Sequence, residues 1–201
     1  MTLREKYGEW GIILGATEGV GKAFCERLAK EGMNVVMVGR REEKLKELGE
    51  ELKNTYEIDY KVVKADFSLP DATDKIFAAT ENLDMGFMAY VACLHSFGKI
   101  QDTPWEKHEA MINVNVVTFM KCFYHYMKIF AAQDRGAVIN VSSMTGISSS
   151  PWNGQYGAGK AFILKMTEAV ACETEKTNVD VEVITLGTTL TPVSYTHLRA
   201  H

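Results

Sequence analysis

The sequence predicts an α/β fold of the doubly wound kind: a parallel sheet covered by helices on both faces, three layers deep. Two observations predict it. Short apolar runs rich in β-branched residues alternate with segments whose apolar residues recur at helical spacing. Apolar strands alternating with helices in this way mean a parallel sheet covered on both faces. The first run also ends in a glycine-rich turn that opens a helix.

The elements follow in order. "WGIILG" (Trp10–Gly15) is a buried strand. "GVGKAFCERLAKEG" places Val20, Phe24, Leu28 and Ala29 on one helical face, and Gly32 stops it. "NVVMVG" (Asn34–Gly39) is the second strand. "EEKLKELGEELKNTY" is a charged helix with Leu45, Leu48 and Leu52 as its buried stripe. "YKVVKAD", ending at Asp66, is the third strand, and "DATDKIFAAT" the helix after it. "MGFMAYVA" (Met85–Ala92) is the fourth strand, followed by one long helix over Pro104–Ala132 that is apolar on more than one face. "GAVINVSS" is the fifth strand, "YGAGKAFILKMTEAVACETEK" the next helix, and "VDVEVITL" (Val179–Leu186) the sixth strand. Right-handed crossovers turn this order into a Rossmann-type sheet, in which ligands bind beyond the C-terminal strand ends.

Bulk properties narrow the class. The chain has 201 residues, 46% hydrophobic and 24% charged, with a formal net charge of −4. A chain this long buries about 70% of its unfolded surface and needs no staple. The acidic balance gives no reason to expect a nucleic-acid or anionic-membrane partner. Cys25, Cys93, Cys122 and Cys172 are scattered without metal-ligand spacing, so free thiols and no metal are expected. "MTLREKYGEW" is no signal peptide, and no run approaches the roughly 18 apolar residues of a membrane span. A cytoplasmic location is the expectation.

"LGATEGVGKAF" sets Gly15, Thr17, Gly19 and Gly21 at the first strand–helix turn. Glycines there let the backbone approach a pyrophosphate, whose charge meets the helix N-terminus; a turn that merely packs is the plainer alternative. At the end of the second strand, where NAD-binding folds keep an acid for the ribose 2′-OH, stand Arg40 and Arg41. Guanidinium groups pair with phosphate, so NADP(H) is expected over NAD(H), the other reading being a solvated charge run. Ser143 ends the fifth strand, Tyr156 begins the next helix, and Lys160 lies one turn on, on the same face. Reduction of a ketone by hydride needs a proton donor at the oxygen, and oxidation of an alcohol needs a base there. An ammonium beside Tyr156 lowers its pKa from about 10 and lets it serve as both. Ser143 can hold the same oxygen.

With the glycine loop, this ordered set resembles the short-chain dehydrogenase/reductase family, from about Trp10 to Pro192. The resemblance implies that Lys160 also holds the nicotinamide ribose. It implies that Asn115 in "INVNVV" holds a water in a proton relay, although a buried amide satisfying backbone reads equally well. Asp66 matches the residue near the adenine, and Thr189 and Thr191 those near the carboxamide. "YVAC" stands where the family has N-N-A-G, "LG" where it has P-G, and Leu14 where it has Thr before the first glycine. Three stretches, "LREKYGEWGIILGATEGVGKAFCE", "LDMGFMAYVACLHSFGKIQDTPWEKHEAMINVN" and "SSMTGISSSPWNGQYGAGKAF", are similar to the family's bile-acid hydroxysteroid dehydrogenases. They imply a steroid substrate, for which Leu94, His95, Phe97, Met144 and Trp152 would make an apolar wall. A small-ketone or 3-oxoacyl reductase and a non-catalytic NADPH sensor are the rivals. The resemblance also implies a homo-oligomer, dimeric or tetrameric. It makes residues 1–192 one domain that lacks the family's last strand and lid, with 193–201 ("VSYTHLRAH") a foreign tail, the full-length parent the active oligomer, and the fragment expected to bind cofactor weakly and to be inactive.

Overall fold

A computed structural model describes residues 1–148 and 150–187. Among them β1 (Trp10–Leu14), β2 (Asn34–Gly39), β3 (Tyr60–Lys64), β4 (Met85–Tyr90), β5 (Gly136–Ser143) and β6 (Val179–Leu186) form a single sheet. All pairings are parallel, in the order β3-β2-β1-β4-β5-β6. The order reverses between β1 and β4, which opens a crevice at their C-terminal ends. The helices are α1 (Leu3–Tyr7), α2 (Val20–Lys30), α3 (Glu42–Tyr56), α4 (Ala72–Thr80), α5 (Trp105–Ile112), α6 (Phe119–Gln133) and α7 (Gly154–Glu173).

Alternation along the strands divides the core in two. Ile12, Leu14, Val36, Val38, Met88 and Tyr90 pack on one side with Phe119, Phe123, Tyr126 and Ile163 from α6 and α7. Ile13, Val35, Met37, Phe87 and Ala89 pack on the other with Leu28, Leu45, Leu48 and Leu52 from α2 and α3. β1, β2 and β4 are thus buried on both faces, which is why no polar alternation marks the central runs, whereas the edge strands β3 and β6 expose Lys61, Lys64, Asp180 and Glu182.

Several boundaries differ from the sequence expectation, among them α7, which runs Gly154–Glu173 rather than starting at Tyr156. β3 stops at Lys64 rather than Asp66. β4 stops at Tyr90 rather than Ala92, because the Val91 and Ala92 amides both turn onto the Leu14 carbonyl, at 2.9 and 2.7 Å. The long helix over Pro104–Ala132 is three consecutive pieces, with a wide π-helical turn at Asn113–Thr118 between α5 and α6. Helix α1 has no apolar periodicity to announce it. It stands on a capping box, in which Thr2 Oγ1 accepts from the Glu5 amide (3.2 Å) and Glu5 Oε2 from the Thr2 amide (2.7 Å). Thr189, Thr191 and the 193–201 stretch lie outside the described residues.

Candidate active site

The glycine loop sits in the crevice. Gly15 has φ 100°, and a Cβ on it would stand 2.7 Å from the Ala92 amide nitrogen. A side chain at Gly21 would drive into the Gly15 carbonyl oxygen. Gly19 is the N-cap of α2 and offers no capping side chain, so the first amides of α2 are left to face the crevice. A cradle so closely matched to bare backbone, below an uncapped helix N-terminus, fits a dinucleotide pyrophosphate. At the end of β2, a Cβ on Gly39 would stand 2.8 Å from Thr17 Oγ1, so a side chain there would have to displace the Thr17 hydroxyl.

Arg40 and Arg41 are both exposed at this strand end. Arg40 makes no ion pair among the described residues. Arg41 Nη2 binds Glu18 Oε1 of the glycine loop at 2.9 Å. That hydrogen bond holds the Glu18 carboxyl below its ordinary range, against the opposing effect of partial burial. Asp66 follows β3, and its Oδ1 accepts from the amide and hydroxyl of Ser68 at 3.0 and 2.8 Å, which fixes the turn beside the crevice.

Ser143, Tyr156 and Lys160 come together where β5 meets α7. Ser143 Oγ accepts from Thr145 N (3.3 Å) and Thr145 Oγ1 (3.0 Å), so its own proton is free to point outward. The Tyr156 hydroxyl is within hydrogen-bonding reach of Ser143 and of the Cys93 thiol. Lys160 is 2% exposed, its Nζ donates to the Val141 carbonyl at 2.7 Å, and it lies 5.8 Å from the Tyr156 ring centroid. The small residues between them serve packing. A Cβ at Gly157 would meet the Thr145 carbonyl oxygen at 2.7 Å, and one at Gly159 would meet Asn115 Cβ at 2.9 Å.

The expected acidified phenol is not what this arrangement produces. Burial pushes Tyr156 above its ordinary pKa, Cys93 beside it adds to the rise, and the Ser143 hydrogen bond opposes both. Burial also pushes Lys160 down, with Cys93 acting against it. The ammonium is committed to Val141, so desolvation outweighs its pull on the phenol.

Asn115 lies in the wide turn and is 1% exposed. Its Oδ1 accepts from Leu94 N (3.0 Å) and its Nδ2 donates to Leu94 O (2.7 Å). Tyr90, in the place of the family's first Asn, donates its hydroxyl to the Val114 carbonyl at 2.6 Å. Two latches therefore hold the chain leaving β4 against this turn. Motif reading noted "YVAC" only as a departure. It missed the Tyr90 latch and the Cys93 thiol, and the position of the departure beside the glycine loop was the available signal.

Beyond this rim lies an apolar surface. His95 stacks edge-on against Tyr156 (5.6 Å) and against Phe97 (5.6 Å). Phe97, Met144 and Trp152 are exposed, and Leu94 is partly buried. A cavity of about 310 Å³ between Leu94, Lys107 and Met111 opens beside His95. A larger polar hollow of about 560 Å³, lined by Arg4, Lys53 and Asp59 among others, contains none of these groups.

A nucleotide cradle on a doubly wound sheet, with a phenol, a hydroxyl and an amine at the neighbouring strand end, defines a nicotinamide-dependent oxidoreductase. The short chain dehydrogenase family model matches residues 9–199, and the chain belongs to that family. It is 83% identical to a 7beta-hydroxysteroid dehydrogenase of Collinsella aerofaciens over 96% of this chain and 73% of that protein. A 7beta-hydroxysteroid dehydrogenase of Clostridium sardiniense is 46% identical over 96% of this chain and 74% of that protein. A solved 7beta-hydroxysteroid dehydrogenase structure superposes with a TM-score of 0.96 at 81% identity, covering 98% of this chain and 76% of that one. An L-sorbose reductase from Gluconobacter frateurii, solved with NADPH and L-sorbose, has a TM-score of 0.84 at 25% identity over 94% of this chain and 72% of its own.

Proposed function

We propose that the chain is an NADP(H)-dependent oxidoreductase that interconverts a 7β-hydroxy bile acid of the ursodeoxycholate type and its 7-oxo form. The observation that carries the chemistry is Tyr156 within reach of Ser143, with Lys160 one turn on. The choice of steroid is supported by the 83% identity to the Collinsella enzyme and by the apolar rim at Phe97, Met144 and Trp152.

In this reading Gly15, Thr17, Gly19 and Gly21 hold the pyrophosphate, and Arg40 and Arg41 the 2′-phosphate. Asp66 lies by the adenine, Lys160 by the nicotinamide ribose, and Thr189 and Thr191 by the carboxamide. NADPH, when bound, supplies the hydride. The chain's own residues handle the proton. The Ser143 hydroxyl donates a hydrogen bond to the substrate carbonyl and positions it. The Tyr156 O–H passes its proton to that oxygen as negative charge develops, leaving an alcohol and a phenolate that solvent reprotonates. A phenol raised by burial stays protonated at neutral pH, which suits reduction. Asn115 braces the chain leaving β4, since each end of its amide already has a backbone partner. Among the described residues no helix is long and apolar enough to cross a membrane, and we place the enzyme in the cytoplasm as a homo-oligomer.

The test is steady-state turnover of 7-oxolithocholate with NADPH, for the parent and for Tyr156→Phe, with NADPH binding followed by fluorescence. The parent reduces the ketone, and Tyr156→Phe loses at least about 100-fold in kcat while still binding cofactor. Binding without turnover by the parent would favour a nucleotide sensor. Preference for a 3-oxoacyl substrate would favour that reductase instead.

A further inference from the structure

Glu18 is an unexpected residue to find beside a phosphate site. It lies in the glycine loop, between Thr17 and the α2 N-cap Gly19, and it carries negative charge where an anion is expected. Its carboxylate binds Arg41 at 2.9 Å, and Lys44 adds to the positive field around it. The Glu18 side chain is 24% exposed and that of Arg41 47% exposed. Ion pairs this open to water add little to stability, so support of the fold does not account for the pair.

We propose that Glu18 is the internal competitor of the cofactor's 2′-phosphate for Arg41, and so a residue that sets cofactor affinity and specificity. This rests on the NADP(H) reading above. The Arg41 fork faces a carboxylate in the loop that cradles the nucleotide. A 2′-phosphate that takes Arg41 must displace Glu18 or share the guanidinium with it, and in either case it sits near a like charge. Arg40 has no ion-pair partner among the described residues, so it can meet the phosphate without giving one up. The two arginines are therefore not equivalent: Arg40 is open to the phosphate, and Arg41 is contested. When nucleotide leaves, Glu18 gives Arg41 a partner at once, which favours release over rebinding. Binding of NAD(H), which lacks the 2′-phosphate, does not involve this contest.

The test uses the intact chain and two small probes, adenosine 2′,5′-bisphosphate and 5′-AMP, titrated by calorimetry without turnover. Glu18→Gln keeps the size of the side chain and removes its charge. It should tighten the bisphosphate by about five- to tenfold, the effect of one like charge removed near a surface phosphate, and leave AMP within about twofold. In an Arg41→Ala background the same substitution should lose most of its effect. Weaker bisphosphate binding by Glu18→Gln would overturn the proposal, because Glu18 would then be orienting Arg41 for the phosphate. An unchanged affinity would overturn it too, as would a full-sized effect without Arg41. If the parent bound both probes equally, the NADP(H) reading itself would fall, and this proposal with it.

Discussion

Replacing Asn115 with Leu separates a brace from a chemical relay. Asn115 is 1% exposed and holds Leu94 by both backbone groups, at 3.0 and 2.7 Å. Leu fills similar space without branching at Cβ, which matters because Asn115 Cβ would be 2.9 Å from a Cβ at Gly159. The substitution strands one N–H and one C=O. Each costs about 1–3 kcal/mol when cut off from water, and Leu94 is only partly buried, so the low end applies and the sum is about 2–4 kcal/mol. For a chain of this size that lowers Tm by roughly 5–15 °C, measurable by circular dichroism. Turnover should fall as well, since Cys93 and His95 leave β4 on the same stretch and touch Tyr156. Asn115→Asp refines the test. Its carboxylate keeps the acceptor for Leu94 N but faces the Leu94 carbonyl, so burial raises its pKa above the unfolded value. Its stability is then largest at low pH and falls as pH rises through the folded pKa. A Tm within about 1 °C of the parent for Asn115→Leu, with turnover abolished, would refute the brace.

Two further predictions complete the set. Gly21→Ala should remove cofactor binding and destabilise the chain, because its methyl group would enter the Gly15 carbonyl oxygen; a calorimetric titration with NADPH reads the first effect and urea unfolding the second. The raised Tyr156 pKa gives the two reaction directions different pH dependence. Ketone reduction needs the phenol and holds level from neutral pH up to the alkaline range. Alcohol oxidation needs the phenolate and climbs with pH, and an oxidation rate that is flat between about pH 7 and pH 10 would contradict the assignment of Tyr156 as base.

Much of the fold was legible because burial writes itself as periodicity. The leucine stripe of α3 gave its span, Glu42–Tyr56, and the β-branched runs marked β2, β5 and β6 to their ends. The wide turn at Asn113–Thr118 was not legible, because a single π-helical turn leaves the surrounding apolar spacing intact. Helix α1 was hidden for the opposite reason: it is held by capping and polar contacts rather than an apolar stripe. At the site, Ser143, Tyr156 and Lys160 could be read from order and chemistry. The hold of Glu18 on Arg41, the reach of Cys93 to Tyr156 and the raised phenol pKa depend on which side chains meet in space and how dry the meeting point is. Residue order carries neither.

Helix α1 is also fastened across almost the whole described chain. The Tyr7 hydroxyl and Lys6 Nζ both donate to Asp180 Oδ2 in β6, at 2.5 and 2.6 Å. A clasp between positions this far apart closes a loop that contains every other strand, and its entropic cost falls only after those strands have paired. It is therefore a late event in folding. A contact absent from the folding transition state leaves the folding rate alone and acts on unfolding. Whatever stabilisation the clasp gives thus acts on unfolding rather than on the rate of folding, and with its Lys6 and Asp180 side chains 44% and 52% exposed that contribution is small.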